Sequence, residues 1–204
     1  MNTDLTYVNY SLDRHCPRVV FAQRNLADPE GRQAVAWKVI RDCGHMWWHP
    51  FRFDWRLAVE VGDAYGNRGG RVMAVPGDRF AFGCRRLGQK RLFPEARGEG
   101  DGIRVTNRSG RGAFIVRLYR GELVLAQSGP VPPGESVSFA FDQTLLVGTS
   151  LRQEEGTPME LAKLLGPAAI DLTGLRQGRI VMTGGGHGPA AQPLRFYLDR
   201  EERW

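Results

Sequence analysis

Lysine is scarce in this sequence, cysteine is rarer than a disulfide scaffold needs, and long apolar runs are absent. The three cysteines, Cys16, Cys43 and Cys84, are an odd number, widely spaced and without a C-x-x-C pair. That pattern argues for reduced thiols in a reducing, cytoplasmic compartment rather than a disulfide framework. Nothing approaches the roughly 18 uninterrupted apolar residues of a membrane-crossing helix, so no membrane partner is expected. Residues 1–12 carry neither a basic n-region nor an apolar h-region, which predicts no secretory signal.

Lys38, Lys90 and Lys163 are the only lysines, so arginine supplies almost all of the cationic charge behind the formal net charge of +6. Such a balance steers polyanions without fixing a partner. The densest run holds Arg85, Arg86, Lys90, Arg91 and Arg97. Its single aromatic is Phe93, whereas single-strand binders combine a basic groove with several stacking rings. Nucleic acid is therefore not the expected partner, and the run reads as a solvated loop or sheet edge. Polyanion binding stays open as an alternative.

What the chain does have is period-two alternation. Phe51, Phe53, Trp55, Leu57, Val59 and Val61 share one parity, against Arg52, Asp54, Arg56, Ala58 and Glu60. Successive strand residues face opposite ways, so this segment predicts one buried and one wet face. Shorter pieces repeat the pattern at Ile103–Val105, Phe114–Leu118, Val137–Phe141 and Leu194–Leu198. Further candidate strands cover Arg18–Gln23, Ala34–Arg41, Arg71–Val75, Arg79–Phe82, Leu145–Ser150 and Arg179–Thr183. Turn chemistry separates them: Tyr119-Arg120-Gly121-Glu122 reads as a hairpin, Pro132-Pro133-Gly134 as a longer connection, and Gly62–Gly70 as a loop.

The expected fold is a mostly-β antiparallel sandwich, Greek-key (immunoglobulin-like) or jelly-roll-like, in a single domain over 1–204. Bare strand edges make a homodimer by edge pairing plausible. One short helix is expected near 158–165. Thr157 and Glu160 form a capping box around Pro158, Leu161, Leu164 and Leu165 make a stripe, and Gly166-Pro167 is the stop.

The segment Cys43-Gly44-His45-Met46-Trp47-Trp48-His49-Pro50 gathers two of the four histidines and two of the five tryptophans beside a cysteine. Imidazole and sulfur are ligands suited to copper and zinc. In an extended chain Cys43, His45, Trp47 and His49 share a face, with neighbours two apart within about 7 Å. His45 and His49 would then lie roughly 13 Å apart, close enough to share an ion only if the chain bends. The competing reading is core packing that feeds the Phe51 strand.

The Trp47-Trp48-His49-Pro50 step resembles the Trp-x-His segment of the copper-binding surface proteins of methanotrophic bacteria. That resemblance implies copper held by a tryptophan oxidised to kynurenine, a histidine two residues on, and a second, distant histidine. Carried over, Trp47 is the modified ring and His49 the first histidine. No motif places the second; His187 is the most distant candidate. The export signal that the family carries is not expected from residues 1–12, a departure from the resemblance.

Elsewhere, Gly184 to Gly188 is glycine-rich but matches neither nucleotide-loop pattern, and reads as a loop carrying His187. No G-x-S-x-G elbow, H-E-x-x-H pair or calcium-loop pattern occurs. The expectation is a non-enzymatic binding protein, with copper or zinc at His49, His45, Cys43 and His187. The alternative is a small-molecule or carbohydrate-binding module, or an enzyme, with a pocket lined by Trp47, Trp48 and Trp55.

Overall fold

The computed structural model describes residues 2–13, 17–84 and 90–200. The first four strands are β1 (Asn2–Asn9), β2 (Arg18–Ala22), β3 (Lys38–Ile40) and β4 (Trp48–Asp54). Eight more follow: β5 (Leu57–Gly62), β6 (Val72–Ala74), β7 (Arg79–Cys84), β8 (Lys90–Pro94), β9 (Ile103–Asn107), β10 (Ile115–Arg120), β11 (Leu123–Gln127) and β12 (Ser136–Phe139). The last four are β13 (Thr144–Ser150), β14 (Leu165–Asp171), β15 (Gln177–Gly185) and β16 (Gln192–Asp199). The chain is mostly β, as its alternation predicts, with single 3-10 turns at Leu161–Lys163 and Gly188–Ala190.

The strands form four four-stranded sheets, ordered β16-β15-β1-β4, β14-β13-β2-β3, β11-β10-β5-β6 and β12-β9-β7-β8. The topology is nested. Strands β5–β12 make two of the sheets and β1–β4 with β13–β16 the other two, with a single bridge from Ala126 of β11 to Ala34 between the sets among the described residues. Pairing is antiparallel except for β1 with β15 and β7 with β9. Rings meeting across the first two sheets, such as Phe21 with Phe51 at 4.9 Å, show that those sheets face each other as a sandwich. One continuous apolar cluster takes residues from both strand sets, among them Phe21, Phe53, Val59, Val105 and Leu145.

Phe51–Val61 is not one strand. Asp54 Oδ1 accepts from the Arg56 backbone N–H at 2.9 Å, a local turn that ends β4 and sends β5 into a different sheet. Nor is the expected wet face wholly wet, since Asp54, Ala58 and Glu60 are buried. The Ala34–Arg41 candidate shortens to β3, with isolated bridges at Ala34 and Val35.

The expected two-turn helix is reduced to the 3-10 turn. Val35 bridges Pro158, and the Met159 N–H donates to Ala34 O at 3.0 Å. Thr157 donates its hydroxyl to Glu154 O at 2.6 Å instead of capping. Pairing with residues 34–36 thus displaces the local capping signal. Gly166 and Pro167, the expected stop, lie inside β14.

Gly184, expected in a loop, sits within β15 at a bulge opposite β16. Its φ is +90° and a Cβ there would stand 2.1 Å from Pro193 O, so only glycine fits. The hairpin expected at Tyr119–Glu122 is present between β10 and β11.

Candidate functional site

The Cys43–Pro50 segment is a bent tip, not an extended strand. Asp42 and Met46 adopt φ of 52° and 64°, a region that non-glycine residues enter only where the surroundings hold them. The holding contacts come from the end of β1. The Asn9 Nδ2 amide donates to Cys43 O at 2.6 Å, and its Oδ1 accepts from Ser11 N–H at 2.8 Å. Backbone bonds add Met46 N–H to Asn9 O at 2.6 Å and Asn9 N–H to Trp47 O at 3.0 Å. His45 Nδ1 lies 2.9 Å from Ser11 O, so it carries the proton and leaves Nε2 as the open lone pair.

Because the tip bends, the expected shared face of Cys43, His45, Trp47 and His49 does not form. Trp47 lies in the turn, its ring over Gly44, where a Cβ would be 3.8 Å from the indole. Trp48 points to the outer face of the first sheet, and both tryptophans are 66% exposed. His49 shares parity with Phe51 and Phe53 on the inner face, half-buried at the rim of the sandwich. Burial holds its pKa below the ordinary histidine value; Lys38 adds to that effect and Glu155 opposes it. Lys38 Nζ is itself 3.2 Å from Glu155.

Cys43 is half-buried against the main apolar cluster. His187 is exposed beyond the end of β15. Among the described residues, no three His, Cys, Asp or Glu side chains come together as a metal-holding group.

Trp55 does not share a pocket with Trp47 and Trp48. It follows the opposite end of β4, roughly 20 Å along the strand. There it is half-buried, packed on Phe53 at 4.9 Å, with its N–H donated to Thr3 Oγ1 at 3.0 Å. Of the basic run, Arg97 pairs with Asp78 at 2.9 Å, while Arg85 and Arg86 lie outside the described residues.

Two features escape sequence reasoning. The carboxylate of Glu60 is buried beneath Arg117 (3.5 Å), Arg68 and Arg71 (3.9 Å each), and accepts from the Tyr119 hydroxyl at 3.1 Å. The cross-strand register Glu60↔Arg117 brings part of this cluster together, and no motif encodes it. The second is an open groove of about 660 Å³ between residues 24–32 and 153–163, walled by Arg24, Arg32, Met159 and Leu161.

Exposed large apolar side chains include Tyr10, Leu12, Met46, Trp47 and Trp48 at or near the tip in sequence and Tyr197 across the sheet, with others elsewhere such as Leu26, Tyr65 and Leu151. Comparison with protein-family models, curated proteins and solved structures gives no match to this chain.

Proposed function

We propose that the protein is a non-enzymatic β-sandwich binding module whose ligand, a small ring-bearing molecule or sugar, stacks on the Trp47–Trp48 tip. One observation carries this reading: two tryptophans are two-thirds exposed on a turn that Asn9 and His45 hold in place. A ring fixed before binding loses little conformational freedom on contact, so its apolar area converts efficiently into affinity. Trp55, half-buried with its N–H donated to Thr3 Oγ1, is not part of this reading.

A thermal-shift screen of sugars and aromatic small molecules tests the tip. A ligand at a hundredfold excess over its Kd stabilises by about 2.7 kcal/mol, a rise of roughly 5–10 °C for a chain of this size. The shift should vanish in Trp47→Ala or Trp48→Ala. Ligands that stabilise both variants as they do the parent would place binding elsewhere and sink the reading.

A second reading, copper or zinc at His49, is supported by the neutral imidazole that burial favours, since only the deprotonated ring ligates. His45 with its open Nε2, Cys43 and the distant His187 are the remaining candidate ligands. Titration of metal-stripped protein with Cu(I) and Zn(II) against a chromophoric competitor decides it. Stoichiometric binding lost in His49→Ala supports a metal site, to be followed by mass spectrometry of Trp47 for oxidation; no competition removes it. The exposed, free thiol of Cys84 supports a reducing, cytoplasmic compartment, which cell fractionation checks.

A further inference from the structure

Trp48 does not stand alone on its face of the sheet. The register Trp48↔Val8, Val8↔Val181 and Val181↔Tyr197 sets these four side chains in one row across all four strands. Trp48 and Tyr197 are the exposed ends, at 66% and 48%. Val8 and Val181 between them are buried at 3% and 1%, yet belong to neither apolar core cluster. Both are covered, so the two end rings are the part of this row that a ligand can reach. Three inter-strand spacings separate the end rings, about 14 Å, longer than one sugar ring.

The rows on either side carry charge: Arg179 opposite Asp199 on one side, with Arg52 opposite Asp4 one row further, and Arg195 opposite Thr183 on the other. Arg52 Nε sits 3.1 Å from Asp4, and Arg179 lies 4.0 Å from Asp199 while an N–H reaches Tyr10 Oη at 3.4 Å. Arg52, Arg179 and Arg195 against Asp4 and Asp199 leave a single excess cation on this face, whereas a phosphate backbone takes several cations to neutralise. An apolar protein surface would strip water from both ion pairs without replacing its hydrogen bonds, a net cost. Hydroxyl groups replace that water directly, as donors to the carboxylates and acceptors from the guanidinium N–H groups.

We infer that the outer face of the first sheet binds a neutral oligosaccharide, laid across the strands from Trp48 to Tyr197. The apolar C–H faces of its rings stack on the two end aromatics, and its hydroxyls bond the Arg179–Asp199 pair on one side of the row and Arg195 on the other. This rests on the stacking role proposed for the Trp47–Trp48 tip and extends it to a chain-like ligand with a second anchor.

The test is native affinity electrophoresis of the intact protein in gels containing hydroxyethylcellulose, amylopectin, galactomannan or laminarin. Calorimetry with the hexasaccharide and disaccharide of the retaining polymer follows. Retention is expected on at least one polymer, with the hexasaccharide bound at least tenfold more tightly than the disaccharide. Tyr197→Ala and Tyr197→Leu should both lose that gain while binding the disaccharide as the parent does. Equal affinity for both lengths, or Tyr197 variants without effect, overturns the inference and leaves the tip as the whole site. Retention on no neutral polymer also overturns it, and capture of fluorescein-labelled oligo(dT) would point to a polyanion site instead. Trp48→Ala binding the hexasaccharide as the parent does would remove the tip reading as well.

Discussion

The guanidinium of Arg120 lies 4.3 Å above the ring of Phe53, and the two residues belong to different strand sets of the nested fold. Arg120 ends β10 and is 3% exposed. It donates to Gln23 Oε1 at 2.8 and 3.1 Å, just after β2, and to Asp54 O at 2.8 Å, at the end of β4. Desolvation lowers its pKa to about 10, so it remains a cation at neutral pH. One side chain thereby ties the inner strands to both sheets of the outer sandwich.

Arg120→Ala should lower the unfolding free energy by about 2–4 kcal/mol, because Gln23 Oε1 and Asp54 O lose their donor. Arg120→Lys should recover less than half of that, since an ammonium cannot reproduce the planar fork over Phe53. Urea denaturation at neutral pH measures both. A loss under 1 kcal/mol in the alanine variant would remove the joint from the account.

His49 gives stability a pH dependence of definite sign. Its folded pKa lies below the ordinary 6.5, so the unfolded chain takes up the proton first. The contribution is complete above about pH 7 and is lost as pH falls through the folded pKa. His49→Gln should flatten this part of the profile. Urea midpoints for both proteins between about pH 8 and about pH 5 check it, and parallel profiles would show that His49 is not responsible.

Trp47→Ala and Trp48→Ala should change stability by no more than about 0.5 kcal/mol, as expected for exposed side chains away from the core. Asn9→Ala should instead cost about 1–3 kcal/mol, through loss of its bonds to Cys43 O and Ser11 N–H. It should also loosen the tip, seen as a weaker near-ultraviolet circular dichroism band from tryptophan. An unchanged band would mean the tip holds its shape without Asn9.

Gly184→Ala should destabilise by at least about 2 kcal/mol, combining a left-handed backbone with a clash against Pro193 O. Gly129→Ala, at a position with open space around its α-carbon, is the control and should be near neutral. Thermal unfolding of the pair distinguishes a local clash from a general effect of added bulk.

The β character was legible because alternation is a local signal: Phe53, Val59, Ile103, Val105 and Val137 all fall on the buried parity that their spacing predicts. The break at Asp54–Arg56 was not, since an aspartate folding back on a neighbouring amide leaves alternation intact. The helix failed for a related reason. Thr157 and Glu160 form a sound local cap, but the chain at 34–36 offers backbone partners that no window around 157 contains.

The chemistry was half legible. Composition singled out Cys43–Pro50, and the bend imposed by Asn9, thirty-four residues from Cys43, decided which side chains of that segment meet. Tyr197 carried no signal, because its partnership with Trp48 exists only through the register of four strands.

That register has a consequence for how the protein comes into being on the ribosome. Strands β5–β12 can pair as soon as they emerge, but β1 waits for β15, a partner made more than 160 residues later. Pairings of such sequence separation are slow and leave strand edges uncovered in the meantime. The row from Trp48 to Tyr197 is therefore among the last features to be assembled. A chain cut short before β15 would carry both tryptophans and still have no platform, so ligand capture would report a completed molecule.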